Sequence, residues 1–135
     1  TLAGKKICLF GFAFKADTGD TRESPAIRIA KRLMEEKADL VITDPKAINN
    51  AKDDLEGEPG NVSYVEDPYE AAAGCCAIAL MTEWSHYKRL DYEKIFQTMV
   101  KPAFIFDGRN ILDHHGLHKI GFNVFPIGKP PLTHY

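Results

Sequence analysis

Apolar runs of strand length recur along the chain, separated by segments with helical spacing or by turn residues. The first, KKICLFGFAF at 5–14, is almost continuously apolar after its two lysines. A strand with one wet face would alternate with a period of two, so this run predicts a strand covered on both faces and central in its sheet. ADLVITDP (38–45) halts at Pro45, NVSYVE (61–66) is shorter, and CAIALMTE (76–83), AFIFDGR (103–109) and GFNVFPIG (121–128) follow. Between the first two runs, Ser24 and Pro25 open a helix whose Ala26, Ile29, Ala30 and Leu33 fall at i, i+3, i+4 and i+7. Asp67, Pro68 and Glu70 supply cap, first-turn proline and capping-box acid for another. DYEKIFQTMV (91–100) sets Tyr92, Ile95, Phe96 and Met99 on one helical face, with Pro102 beyond its end. Strands alternating with helices pair in parallel through right-handed crossovers. The expected fold class is therefore α/β: a three-layer, Rossmann-like, open and mostly parallel sheet with helices on both faces. Residues 47–61 are polar and broken by glycine and proline, which predicts an exposed excursion, and the tail KPPLTHY shows no ordering pattern.

A length of 135 residues suits one domain, 1–135, with a single core. Lysine and arginine (17) nearly balance aspartate and glutamate (19), leaving a net charge of -2 and no field to gather nucleic acid. Three cysteines, two of them adjacent at Cys75 and Cys76, form neither an even disulfide set nor a CxxC pair. With no apolar stretch of about 18 residues, neither a membrane span nor a leader is expected, and the chain reads as cytoplasmic. It begins at Thr1 and enters a strand almost at once, which suggests a piece of a longer protein.

Ligands of open parallel sheets bind beyond the carboxyl ends of the strands, near the point where strand order reverses. The residues expected there are Phe14, Lys15, Asp17, Asp20, Arg22 and Glu23 after the first strand, and Asp44, Glu83, Trp84, Asp107 and Arg109 after the others. Lysine offers a mobile point charge and arginine a planar fork, a pairing that suits a phosphorylated ligand. The same cations also read as solvated loop charges bridged to Asp17, Asp20 or Glu23. The dinucleotide fingerprint GxGxxG is absent, because Gly11 is followed by Phe12, Ala13, Phe14 and Lys15. Asp44 stands where a ribose-binding acid would, but without the glycines its expected work is to cap the turn at Pro45. His114 and His118 would share a helical face, yet no third ligand accompanies them and Gly116 interrupts the helix, so no metal is expected. Cys8, Cys75 and Cys76 read as buried hydrophobes, and Trp84 as an aromatic closing the sheet edge.

GFAFKADTGDTRESPA, together with TDP, DPYEAA, TEW and FIFDGRNILD in that order, resembles the carboxyl-terminal UDP-binding domain of the UDP-glucose 6-dehydrogenases, in the UDP-glucose/GDP-mannose dehydrogenase family. The resemblance runs from about residue 5 to residue 128. It implies a two-step, NAD-dependent oxidation of UDP-glucose to UDP-glucuronate, which feeds polysaccharide and glucuronide synthesis. It also implies an amino-terminal domain holding NAD and a catalytic cysteine, joined by a long central helix; none of these lies in these residues, so no catalytic residue is assigned and the isolated chain is expected to be inactive. Carried over residue by residue, the UDP-sugar contacts fall on Phe14, Lys15 and Arg109, and the contact to the NAD pyrophosphate on Arg22. The start of the helix at Ser24 and Pro25 is expected to add free N–H groups near those phosphates. Partners implied are UDP-glucose, the chain's own amino-terminal domain, and further copies in a homodimer or higher oligomer. Two alternatives stand beside this: the same domain of a UDP-N-acetylmannosamine-type dehydrogenase, and a free-standing nucleotide-binding or assembly module.

Overall fold

In the computed structural model, which describes residues 1–135, β1 (Lys6–Phe10) leads through α1 (Pro25–Glu35) to β2 (Asp39–Thr43), and α2 (Ile48–Asp54) leads to β3 (Asn61–Tyr64). The chain then returns through α3 (Pro68–Ala72) to β4 (Ala77–Leu80), a 3-10 helix (Ser85–Arg89) and α4 (Tyr92–Thr98), β5 (Phe104–Asp107), α5 (His114–Ile120) and β6 (Asn123–Pro126). The six strands form one sheet in the order β3-β2-β1-β4-β5-β6, and every pairing is parallel. The expected fold class holds, with β1 in the interior of the sheet. No helix is long and apolar enough to cross a membrane.

The two faces are covered unequally. Ala26, Ala30 and Met34 of α1 and Ala51 of α2 pack with Leu9, Leu40 and Ile42 on one face. Helices α3, α4 and α5 bury Ala71, Ile95 and Leu117 with Cys8, Ile78, Ile105 and Val124 on the other. Each buried leucine or isoleucine contributes about 1.5–3 kcal/mol, so both layers hold the sheet. On the α1 and α2 side, the flank of β5 and β6 carries no helix, and there Phe106 and Phe125 stack at 5.0 Å between centroids with Phe106 43% exposed.

Four expectations change. The first strand ends at Phe10 rather than residue 14, because Gly11 turns the chain at φ +95, where an added Cβ would lie 2.5 Å from the Thr82 side chain. Residues 47–61 are not a mere excursion: α2 sits there, with Ala47, Ala51 and Leu55 buried at a four-residue spacing. Gly116 does not interrupt α5 but permits its cap, since a Cβ there would collide with Asp113 Oδ2, on the side chain whose other oxygen accepts the Gly116 N–H at 3.1 Å. The tail is ordered by a bridge from Leu132 to Val124 and by His134, whose ring stacks on His118 at 4.0 Å.

Candidate functional site

From β1 the chain builds outward through β2 and β3, then crosses back and builds through β4, β5 and β6 on the other side. The reversal lies between β1 and β4, so the crevice at their carboxyl ends is framed by residues 11–24 and 81–84. Asp44, just past β2 and 3% exposed, organises that crevice from beneath. Its Oδ2 accepts the N–H groups of Phe12 (2.8 Å) and Ala13 (3.1 Å) and the Trp84 indole N–H (3.2 Å). Its Oδ1 accepts the N–H groups of Lys46 and Ala47, both at 2.8 Å, which is the turn cap expected from the sequence. Trp84 is thus a buried strut at the centre of the sheet, a correction to its reading as an edge aromatic, and its signal was its place directly after the β4 run. In a dinucleotide-binding loop the corresponding backbone N–H groups would face a pyrophosphate. Here they are engaged by the very acid that would otherwise meet a ribose.

The loop above Asp44 is tied down further by Thr82, whose hydroxyl donates to the Ala13 carbonyl at 2.7 Å, and by Ser24, whose hydroxyl donates to the Phe12 carbonyl at 2.8 Å. Asp17 and Glu23 hold φ angles of 66° and 61°, left-handed conformations that side chains other than glycine adopt at a cost. Ser24 also caps α1 by accepting the Ala26 N–H at 3.2 Å, and the Ile27 N–H goes to the Ser24 carbonyl. The free N–H groups expected at this helix start are therefore absent. What α1 offers the crevice is the positive end of its dipole.

Three of the four residues expected to bind ligand come together. Arg109 follows β5 and reaches back over the ends of β4 and β1: its Nε donates to the Met81 carbonyl and its Nη2 to the Phe14 carbonyl, both at 3.0 Å. Its Nη1 lies 3.4 Å from Glu83 Oε2, and Glu83 Oε1 accepts the Ala16 N–H at 2.8 Å, so one carboxylate joins Arg109 to the first loop. Phe14 is 38% exposed, with the Lys15 ammonium 5.5 Å from its ring centroid. Gly108 lets this turn approach β4, since a Cβ there would meet the Leu80 carbonyl at 2.9 Å.

Arg22 stands apart. It grips Asp20 through Nε and Nη2 (2.7 Å to Oδ2), and borders a shallow hollow with Asn50, Asp53 and Asp54. Its side chain holds the Asp20 carboxyl down at about 2, assisted by its backbone N–H. For Arg22 the solvated-ion-pair reading describes the geometry, whereas Lys15 forms no ion pair. Asp107, 1% exposed, anchors the Arg109 turn: Oδ1 accepts the Arg109 N–H, and Oδ2 accepts the Leu112 N–H and the His114 Nε2–H. Burial pushes this carboxyl up, but the Leu112 N–H, the His114 ring and the Arg109 N–H outweigh it and hold it below the usual range. No cluster of three or more histidine, cysteine or acidic side chains is placed to hold a metal. A groove of about 620 Å³ lies elsewhere, between α4 and α5, and none of these cations lines it.

A parallel sheet with loop amides turned inward and cations at its strand-order reversal defines a Rossmann-like domain that lacks a dinucleotide loop of its own. Residues 8–114 match the UDP-glucose/GDP-mannose dehydrogenase family, UDP binding domain, and the chain belongs to that family. It is 49% identical over 142 residues to UDP-glucose 6-dehydrogenase of Bos taurus, with 96% of this chain covered, and 45% identical over 149 residues to UDP-glucose 6-dehydrogenase 1 of Arabidopsis thaliana, again with 96% covered. The chain spans 28% and 31% of the length of those two relatives. Among solved structures, a UDP-glucose dehydrogenase from Pyrobaculum islandicum superposes with a TM-score of 0.69 at 27% identity, over 90% of this chain and 26% of that one.

Proposed function

We propose that the chain is the UDP-sugar-binding part of an NAD-dependent UDP-glucose 6-dehydrogenase, and that Phe14, Lys15 and Arg109 hold the sugar nucleotide. The observation that carries this reading is the meeting of the Arg109 guanidinium with the Phe14 carbonyl at 3.0 Å, beside an unpaired Lys15. Arginine has five N–H donors. Carbonyls take two of those of Arg109 and Glu83 Oε2 lies 3.4 Å from Nη1, which leaves one donor on Nη2 and one on Nη1 for a diphosphate or sugar oxygen. Lys15 adds a mobile charge and the half-exposed Phe14 ring an apolar surface. The 45–49% identity to proteins named UDP-glucose 6-dehydrogenase favours glucose over other UDP-linked sugars.

NAD, when bound, accepts the hydride. Within this chain only Arg22 would meet its pyrophosphate, and the local structure fits one such contact rather than a complete cofactor site: the Phe12 and Ala13 N–H groups are engaged by Asp44, and Asp20 must yield part of the Arg22 fork. An amino-terminal domain would hold the rest of NAD and supply the catalytic cysteine, because Cys8 and Cys75 are fully buried and the half-buried Cys76 precedes β4, at the end of the sheet away from the crevice. On this reading the 1–135 unit alone is inactive, the complete enzyme is a cytoplasmic homodimer or larger oligomer, and neither nucleic acid nor membrane is a partner. In the full-length protein, Lys15→Ala and Arg109→Ala should each raise KM for UDP-glucose about ten- to hundred-fold, the effect of losing a charge-assisted hydrogen bond, with KM for NAD little changed. Unchanged kinetics in both variants would overturn the proposal.

A further inference from the structure

Arg109 owes its position to a buried dyad behind it. His114 is the first residue of α5, its side chain is 10% exposed, and its Nε2 donates to Asp107 Oδ2 at 2.8 Å; the Asp107 side chain is fully buried. The same oxygen accepts the Leu112 N–H at 2.9 Å, which leaves Oδ1 aimed at the Arg109 N–H at 3.0 Å. One carboxylate thereby joins the end of β5, the turn at Arg109 and the start of α5. Downstream of the turn, Asn110 holds φ 56° and donates its side-chain N–H to the Ile127 carbonyl at 2.8 Å, so the loop is braced on both sides. On the far side of this frame Arg109 is shared between the Met81 and Phe14 carbonyls.

We infer that His114 is a positioning residue for the sugar nucleotide: by fixing the plane of the Asp107 carboxylate it sets the Arg109 turn, and through it the orientation of the guanidinium toward a ligand diphosphate. This rests on the assignment of Arg109 to the UDP-sugar site. His114 touches no ligand itself. Its contribution passes through a hydrogen bond to a buried carboxylate, for which truncation leaves an under-satisfied acceptor and an unpinned turn.

The deciding experiment is a double-mutant cycle on the full-length protein, with UDP-glucose and NAD affinities read by calorimetry. Single variant His114→Ala should weaken UDP-glucose about five-fold, as expected for one lost hydrogen bond, and leave NAD within about two-fold. His114→Gln, whose amide nitrogen takes the place of Nε2, should stay within about two-fold of the parent for UDP-glucose. Adding His114→Ala to Arg109→Ala should have no further effect on UDP-glucose, because the histidine acts only through that arginine. Should the alanine variant melt too low to assay, His114→Met keeps the volume without the donor. An unchanged affinity in His114→Ala, an equal loss in the glutamine variant, or a full five-fold loss on top of Arg109→Ala would each overturn the inference. If Arg109→Ala alone leaves UDP-glucose binding intact, the failure belongs instead to the assignment of the site.

Discussion

Asp44 closes β2 and Asp107 closes β5, on opposite sides of the sheet's reversal, and both are buried against N–H donors. The donors differ. Asp44 takes four backbone N–H groups and an indole, drawn from the β1 loop, its own turn and the β4 loop, all of them uncharged. Asp107 takes two backbone groups from a single loop and one ring that can carry a proton. One carboxylate therefore fastens three segments of the fold together, while the other sets the local shape of a turn that presents a single arginine. The same residue type in the same kind of place fastens distant segments in one half and shapes a single turn in the other.

Removing Asp44 is the strongest way to break this contrast. Asp44→Ala strands several buried donors at once and should lower the unfolding free energy in urea by about 3–5 kcal/mol. A loss below about 1 kcal/mol would show that the three segments are held by their apolar contacts instead.

Asp107→Asn comes next, with an expected cost of about 1–2 kcal/mol at pH 7. Because the folded carboxyl of Asp107 lies below its unfolded value, its contribution is complete above about pH 5 and is lost as pH falls through the folded pKa. The asparagine variant should therefore lose less stability than the parent between pH 7 and pH 3 in matched urea titrations. Parallel losses in the two proteins would assign the acid sensitivity to other carboxylates.

The smallest effect belongs to the exposed pair. Arg22→Ala should leave the urea midpoint unchanged, while the Asp20 carboxyl, followed by NMR, rises from about 2 toward the ordinary value of about 3.9. A carboxyl that stayed near 2 would mean that backbone donors, not the guanidinium, hold it there.

The sequence carried the alternation of strands and helices plainly, since continuous apolar runs and the Ser24-Pro25 and Asp67-Pro68 starts are local signals. The turn cap at Asp44 was readable for the same reason. Its bonds to Phe12, Ala13 and Trp84 were not, because their partners lie 31 to 40 residues away and no periodicity announces them. Helix α2 was obscured by its charged residues, although Ala47, Ala51 and Leu55 kept the four-residue spacing that buries one face. The order in the tail arises from Leu132 and His134 meeting Val124 and His118, contacts that exist only after β6 and α5 are in place. For the site, the resemblance singled out Phe14, Lys15 and Arg109 for the sugar nucleotide and Arg22 for the cofactor, but not the bonds that hold Arg109 between the Met81 and Phe14 carbonyls. Nor does any spacing announce the turn between Lys15 and Asp20, where the Phe14 N–H closes on the Asp20 carbonyl at 2.9 Å.

The parallel pairing of every strand also sets the order in which this chain can assemble. Ile7 of β1 pairs with Ala77 of β4, seventy residues downstream, while its other edge pairs with Asp39 and Leu40 nearer by. A nascent chain therefore emerges with one flank of its innermost strand bare, and that flank stays open until β4 has been made. Such remote pairing slows closure, and it leaves the Cys8 and Phe10 side of the young sheet in need of shelter during synthesis.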